Sequence, residues 1–294
     1  SGAELMDPLL NPFDYFTVPF GDWAEASLDR FVGFARPTLV AAKMPVQSFL
    51  EFVQQALLAM PPSLGIIGLV ILGYLLSGWR LALTGFVCLT MIGLMGAWSA
   101  AMTTLSIVIA AVVICVIIGL PLGILAARSD RFFRVLRPIL DLMQTIPSFV
   151  YLVPVVMLFG IGDTPGVIVT CLFAVAPLIR LTNLGIREVR GDLVEAARAF
   201  GASEIHILFG VQLPLARPTL LAGLNQTVLL SLSMAVVASM ISVAGLGRLV
   251  LEGIGRLDFG SATVGGFGIV LTAITVDRYV QALGASTRTK QSAG

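Results

Sequence analysis

The chain has 294 residues, 57% of them hydrophobic and 12% charged, against about 25% charged in an average soluble domain. With a mean hydropathy of +0.97 and a net charge of +1, this composition excludes a soluble enzyme and a nucleic-acid binder. Uncharged runs at 52–79, 81–127, 142–162, 164–179, 218–247 and 259–276 match the roughly 20 apolar residues a bilayer-spanning helix needs. The fold class is therefore an all-α polytopic membrane protein.

Chemistry-bearing residues are sparse. His206 is the one histidine, Lys43 and Lys290 are the lysines, and Cys88, Cys115 and Cys171 each lie inside an apolar run. The cysteines read as small buried apolar residues, and no cluster has metal-ligand spacing. Neither lysine follows a glycine-rich phosphate loop, so any ATP used here must be held by another chain.

In chain order, residues 1–60 form an amino-terminal segment rich in acids and aromatics, without the pattern of a signal peptide. Within it, 23–34 and 49–58 are amphipathic and read as interfacial helices or a soluble arm. Residues 1–20 read equally as a loosely ordered tail. Seven spans are expected at about 62–78, 81–98, 101–127, 139–160, 165–184, 218–243 and 260–282. The break in the run 81–127 is expected at 97–99, and Pro147 should break or kink the fourth span.

Orientation follows from basic residues in the short loops. Segment 128–138 holds Arg128, Arg131, Arg134 and Arg137, and 185–217 holds Arg187, Arg190, Arg198 and Arg217, whereas 161–165 has none. Both basic segments are therefore expected in the cytoplasm, with the amino terminus outside and the carboxyl terminus inside.

The segment 187–217 is too long for a plain connection and should carry structure of its own. Asp192 with Glu195 three residues on has capping-box spacing. Gly201 suits a positive-φ position after a helix, Ser203 suits the cap of a second helix, and Pro214 should end it. A helix–glycine–helix elbow between two spans is a docking device. Ala196 and Ala197 permit close approach, and Glu195 offers a carboxylate. Glu195 reads either as the reciprocal half of the cap or as a partner contact. His206 reads as a surface or packing residue rather than a pH switch.

Glu195-Ala196-Ala197, Gly201 and Leu213-Pro214 at these spacings resemble the EAA loop of ABC-type importer permeases, with Val211 where the family pattern has isoleucine. Residues 141–154, 159–166, 179–187 and 232–247 are similar to the glycine betaine/proline betaine subfamily. The resemblance implies a MetI-like five-helix permease core at 100–283 carrying a cytoplasmic coupling loop, two accessory spans at 61–99 and a cytoplasmic tail at 284–294. It also implies a bacterial inner-membrane homodimer with two ATPase subunits, which bind the ATP and magnesium. A periplasmic or lipid-anchored binding protein would deliver a quaternary amine such as glycine betaine, proline betaine or choline. Glu195, Ala196, Ala197, Gly201, Leu213 and Pro214 would couple to the ATPase. A permease for another small solute and a secondary carrier are the competing readings.

A quaternary ammonium has no N–H to donate and is held by aromatic faces and weak dipoles. Phe149 and Tyr151 beside Pro147, with Met143, Thr145 and Ser148, are candidates to line its path, and so are Trp98 and Met234. The alternative for the aromatics is helix packing or lipid contact. The polar residues of the sixth span, Asn225 to Ser239, read as pathway or dimer wall, or as helix packing. Pro147, Gly245 and Gly247 read as gate or hinge positions, and Gly245 and Gly247 also as a helix C-cap, the two roles being compatible.

Overall fold

The computed structural model describes residues 19–291, so what is expected for residues 1–18 and for the end of the tail lies outside the described residues. Two compact units are distinguished, one up to Ala42 and one from Lys43 onward. Helix α1 runs Phe20–Ala59, where the sequence pattern suggested two separate amphipathic stretches.

Pro61 and Pro62 stop and restart the chain: a proline fits the first helical turn because its missing N–H would be unpaired there anyway. Helix α2 (Pro62–Ser77) leaves the Lys43–Ala59 part of α1 at a bend of 100°. Helix α3 (Trp79–Leu94) follows at Gly78, whose φ of +83° is left-handed backbone that favours glycine. Helix α4 covers Trp98–Arg128, so the break in the long uncharged run falls at 95–97.

The break expected at Pro147 in the fourth span is present. Instead of one helix over 139–160 there are two, α5 (Asp130–Thr145) and α6 (Leu152–Phe159), joined by a 3₁₀ turn at Ser148–Tyr151. They are bent by 110°, because Pro147 can neither donate to the helix ladder nor let Ile146 stay helical. The expected basic loop 128–138 is corrected. Only Ser129 separates α4 from α5, and Arg131, Arg134 and Arg137 ride on α5. The Ser129 hydroxyl accepts from Phe132 N at 3.3 Å and caps α5.

Helix α7 (Asp163–Arg187) is the centre, with 67% of its most apolar window buried inside the fold. Small residues let its neighbours close on it. A Cβ at Gly123 of α4 would lie 2.5 Å from the Thr182 Cβ, and one at Gly223 would lie 3.0 Å from the Leu181 Cβ. Backbone approach of this kind is how helices associate where lipid offers no hydrophobic driving force. Gly223 belongs to α10 (Leu213–Val237), which also donates from Thr227 Oγ1 to the Ala174 carbonyl of α7 at 2.9 Å. Cys115 and Cys171 meet between α4 and α7 with their sulfurs 3.4 Å apart, as free thiols.

After a short 3₁₀ turn at Ala238–Ile241 come α11 (Leu246–Gly255) and α12 (Phe259–Gln291). Tyr279 of α12 holds the α2–α3 hairpin, donating from its hydroxyl to Leu69 O at 2.8 Å. Among the described residues, four helices are long and apolar enough to cross a membrane, and the two bent pairs raise the number to six. Helix α3 adds a shorter apolar segment, consistent with about seven membrane helices.

Candidate functional site: the elbow and the broken helix

Between α7 and α10 lies the elbow. Helix α8 (Gly191–Ala199) is followed by Gly201 at φ +82°, then by α9 (Glu204–Ile207). Ser203 caps α9 by accepting from His206 N at 3.4 Å, and its hydroxyl lies 2.8 Å from the ring Nδ1 of the exposed His206. Gly201 and Ser203 thus take the positions their chemistry suggests.

Two expectations for this segment fail. Asp192 does not cap α8: the helix begins at Gly191 with Arg190 as the flanking residue. Asp192 instead sits in the first turn, where a carboxylate favours the helix dipole, ion-paired with Arg190. Glu195 therefore makes no capping box. Nor does Pro214 end the second helix, since helix continues from Glu204 to Ile241. A π turn at Leu208–Gln212 widens the coil just before Pro214. That places the proline in the first turn of α10 and removes the clash its ring would make with the carbonyl four residues back.

Glu195 and Ala196 are exposed, and Ala197 is half-buried. Among the described residues the Glu195 carboxylate has no side-chain hydrogen bond or ion pair. Leu193, Ala196 and Phe200 fall on one face at helical spacing, and Phe200 is 92% exposed. Ile205 and Phe209 add exposed apolar surface nearby in sequence. Together they present an exposed apolar face, the kind of surface to which partners can bind. Sequence reasoning missed Phe200 as part of it, although an apolar residue just ahead of the glycine was the available signal. Leu213 and Pro214 are half-buried at the start of α10.

The elbow is wired to the joint between α4 and α5. Arg187 donates from Nη2 to Ala126 O at 2.8 Å and from Nε to Asn183 Oδ1 at 2.8 Å. Its Nη1 lies 2.7 Å from Asp130 Oδ1, and its guanidinium stands 5.5 Å from the Phe133 ring centroid. Arg128 donates to Glu204 O at 2.7 Å, while the Glu204 carboxylate pairs with Arg198 at 2.8 Å. Sequence reasoning used these arginines only to orient the chain.

At the far end of α5 the structure brings together several of the expected path residues. Tyr151 donates from its hydroxyl to Met143 O, and its ring meets Phe173 edge-on with centroids 6.0 Å apart. Phe149 on the same turn is 57% exposed, Ser148 is half-buried, and the exposed Thr145 donates to Leu142 O at 3.0 Å. Met234 is fully buried in the cluster of Leu152 and Val155, against which Tyr151 packs. Phe173 had not been singled out. Trp98 lies elsewhere, lining an apolar cleft of about 560 Å³ with Leu69, Leu89, Met102, Leu105 and Tyr279.

Gly245 and Gly247 lie beyond the other end of α7. Gly245 has φ +116° and precedes α11, so it is an N-cap and not the C-cap considered from sequence. A Cβ at Gly247 would lie 2.8 Å from Val236 O.

Residues 119–289 match the model of the family described as binding-protein-dependent transport system inner membrane component. The chain belongs to that family. This permease is 52% identical over 282 residues to the glycine betaine/proline betaine transport system permease protein ProW of Escherichia coli (strain K12), covering 96% of this chain and 80% of that one. It is 39% identical over 278 residues to the glycine betaine/carnitine transport permease protein GbuB of Listeria monocytogenes, covering 93% and 98%. A MetNI methionine ABC transporter in an inward-facing conformation shares the fold at a TM-score of 0.57 and 23% identity, over 65% of this chain and 94% of that one. The permease is thus a multi-pass inner-membrane protein of the ABC importer type, with the MetI-like core expected from its motifs.

Proposed function

We propose that this permease carries a quaternary amine across the inner membrane, with glycine betaine and proline betaine ahead of choline, and that its elbow docks an ATPase subunit. The observation that carries the docking is Glu195, exposed and without a side-chain partner among the described residues, beside the Leu193–Ala196–Phe200 face and ahead of the preset turn at Gly201. Ala197, Leu213 and Pro214 complete the coupling segment. The working importer has two copies of this chain, two ATPase subunits holding ATP and magnesium, and a binding protein on the opposite face. The arginine-rich end faces the cytoplasm, which puts the amino terminus outside and the tail at 284–294 inside. The core at 100–283 does the transport, with 61–99 accessory to it and 1–60 on the outer side.

Cargo recognition is assigned to the turn after Pro147. A cation lacking N–H groups is attracted to aromatic faces, and Phe149, Tyr151 and Phe173 supply them near Met143, Thr145, Ser148 and Met234. Trp98, set apart in its own cleft, serves packing or entry rather than the same contact. Gly245 and Gly247 hold the loop across which the outer gate opens.

The test is ATP hydrolysis by the complex reconstituted with its ATPase and binding protein, with and without glycine betaine, proline betaine and choline. Hydrolysis should rise with loaded binding protein, most for the true cargo, and the rise should weaken in Glu195→Ala. Failure of the ATPase to assemble with or respond to this chain would overturn the reading in favour of a carrier.

A further inference from the structure

The elbow is continuous in sequence with α7 on one side and α10 on the other, which makes these two helices the obvious carriers of its motion. Their packing lets them move only as a pair. At Gly185 a Cβ would lie 2.9 Å from the Thr219 Cβ, and at Gly223 it would lie 3.0 Å from the Leu181 Cβ. Helices in contact this close cannot shear past one another without a clash. Helix α5 is held differently. It is a separate helix, with Pro138 inside it, that has a one-residue joint at Ser129 and a 110° bend before Ser148, and hinges of this kind sit at element ends.

We infer that α5 is the lever that carries the elbow's movement to the Pro147 turn, and that Arg187 of α7 and Arg128 of α4 are the positioning residues that hold the α4–α5 joint to the two ends of the elbow. This rests on the proposal that the elbow docks an ATPase. Both sides of the elbow reach the same joint. Arg187, the last residue of α7, holds the end of α4 through Ala126 O and the start of α5 through Asp130 and Phe133. Arg128 holds the first residue of α9 by its carbonyl, and that residue's carboxylate is tied back to α8 by Arg198. Further along, the Asp141–Arg180 pair ties α5 to α7. Helix α5 ends on the Met143 carbonyl that accepts the Tyr151 hydroxyl. The links at the driven end are charge-assisted and partly open to solvent, with Arg187 36% and Asp130 78% exposed, so they can break and re-form during a cycle. A planar guanidinium serving a carbonyl, an amide, a carboxylate and a ring at once is a task that lysine cannot duplicate.

The experiment measures glycine betaine taken up per ATP hydrolysed in the reconstituted importer with its ATPase and binding protein. Arg187→Ala should assemble and hydrolyse ATP, with uptake per ATP reduced about five-fold or more. Arg128→Ala should act in the same direction and Arg187→Lys should fall in between. Asp130→Asn, whose exposed carboxylate has little bearing on folding, should show the smallest loss of coupling. A role in folding alone would lower assembly, hydrolysis and uptake together with an unchanged ratio, and that result would overturn the inference. Wild-type ratios in Arg187→Ala and Asp130→Asn would overturn it equally. Glu195→Ala and Gly201→Asp run alongside. If those elbow variants lose coupling and the joint variants do not, the lever fails while the docking stands. If the elbow variants are also unchanged, the docking itself fails.

Discussion

The two ends of α7 are built from different materials. At its first residue, Asp163 Oδ1 accepts from Ala244 N at 2.8 Å, and the adjacent Gly162 N donates to Ile241 O at 3.0 Å. Leu246 N donates to Thr104 Oγ1 of α4 at 2.9 Å, Val243 and Leu246 are fully buried, and Ser242 is held at φ +64°. This end is a clasp of backbone N–H groups held by the Ile241 carbonyl and by the Asp163 and Thr104 side chains, among packed methyl groups. At the last residue, Arg187 and its neighbours form a web that combines bonds to the Ala126 and Glu204 carbonyls with side-chain ion pairs that water can reach. Bonds to buried backbone groups are costly to lose, whereas exposed ion pairs contribute little and exchange readily with water. The clasp suits a pivot and the web suits a moving contact. Besides the Asp163 carboxylate in the clasp itself, charge at this end includes the Arg248–Glu252 pair and Asp258.

The comparison breaks most readily at the clasp. A Cβ at Gly166 would lie 2.5 Å from the Val243 Cγ2, which has no room to retreat. Gly166→Val should cost about 1–3 kcal/mol or more through overpacking, read as a lowered melting temperature of the detergent-solubilised permease and a lower assembled yield. Thr104→Val keeps the shape and removes the acceptor of Leu246 N, so a buried donor goes unpaired at about 1–3 kcal/mol. The same melting assay should rank it below Gly166→Val. If either variant melts like the wild type but transports poorly, the clasp is itself a moving part and the contrast collapses.

At the other end Gly201→Asp should behave oppositely. Its site is open, with no atom within 4 Å of an added Cβ, so only the φ of +82° resists the change, at roughly 1–2 kcal/mol. Membrane insertion and melting of the permease alone should stay near wild type while ATPase docking or coupling falls. Correct insertion with full transport would remove the elbow from the mechanism.

Much of this contrast was legible in the sequence, and unevenly so. Long apolar runs fixed most spans to within a few residues, because burying backbone in lipid leaves few alternatives to helix. Gly201 and Ser203 were legible because positive φ and capping are local demands. Asp192 and Pro214 misled for the same reason in reverse: each has a local rule, and each was overridden by a neighbour, Arg190 in one case and the π turn at Leu208–Gln212 in the other. Pro147 announced a break, but its angle, and with it the separate identity of α5, depends on tertiary packing. The partners of Arg187 and Arg128 lie 61 and 76 residues away in sequence, and no spacing within one chain reveals such pairs. Met234 and Trp98 looked alike as path candidates, and only the fold shows one in the core and the other in a separate cleft.

The smallest expected effect lies on the rim of the clasp end, at the start of α12. Asp258 accepts from Ser261 N at 3.1 Å and from the Ser261 hydroxyl at 2.6 Å, and these bonds hold its carboxyl below the usual carboxylate range. Because the folded state favours the ionised form, the stabilisation is present above the ordinary aspartate pKa of about 3.9 and is lost as pH falls through the lower folded value. Asp258→Asn should be nearly neutral at pH 7, since asparagine caps as well as aspartate, and Asp258→Ala should fray the first turn slightly. Melting curves of wild type and Asp258→Ala should therefore differ a little at neutral pH and converge only in acid below the ordinary carboxylate range. A large difference at pH 7 would mean that charge supports the clasp end as it does the elbow end. The division of α7 into a packed pivot and an ionic moving contact would then have to be abandoned.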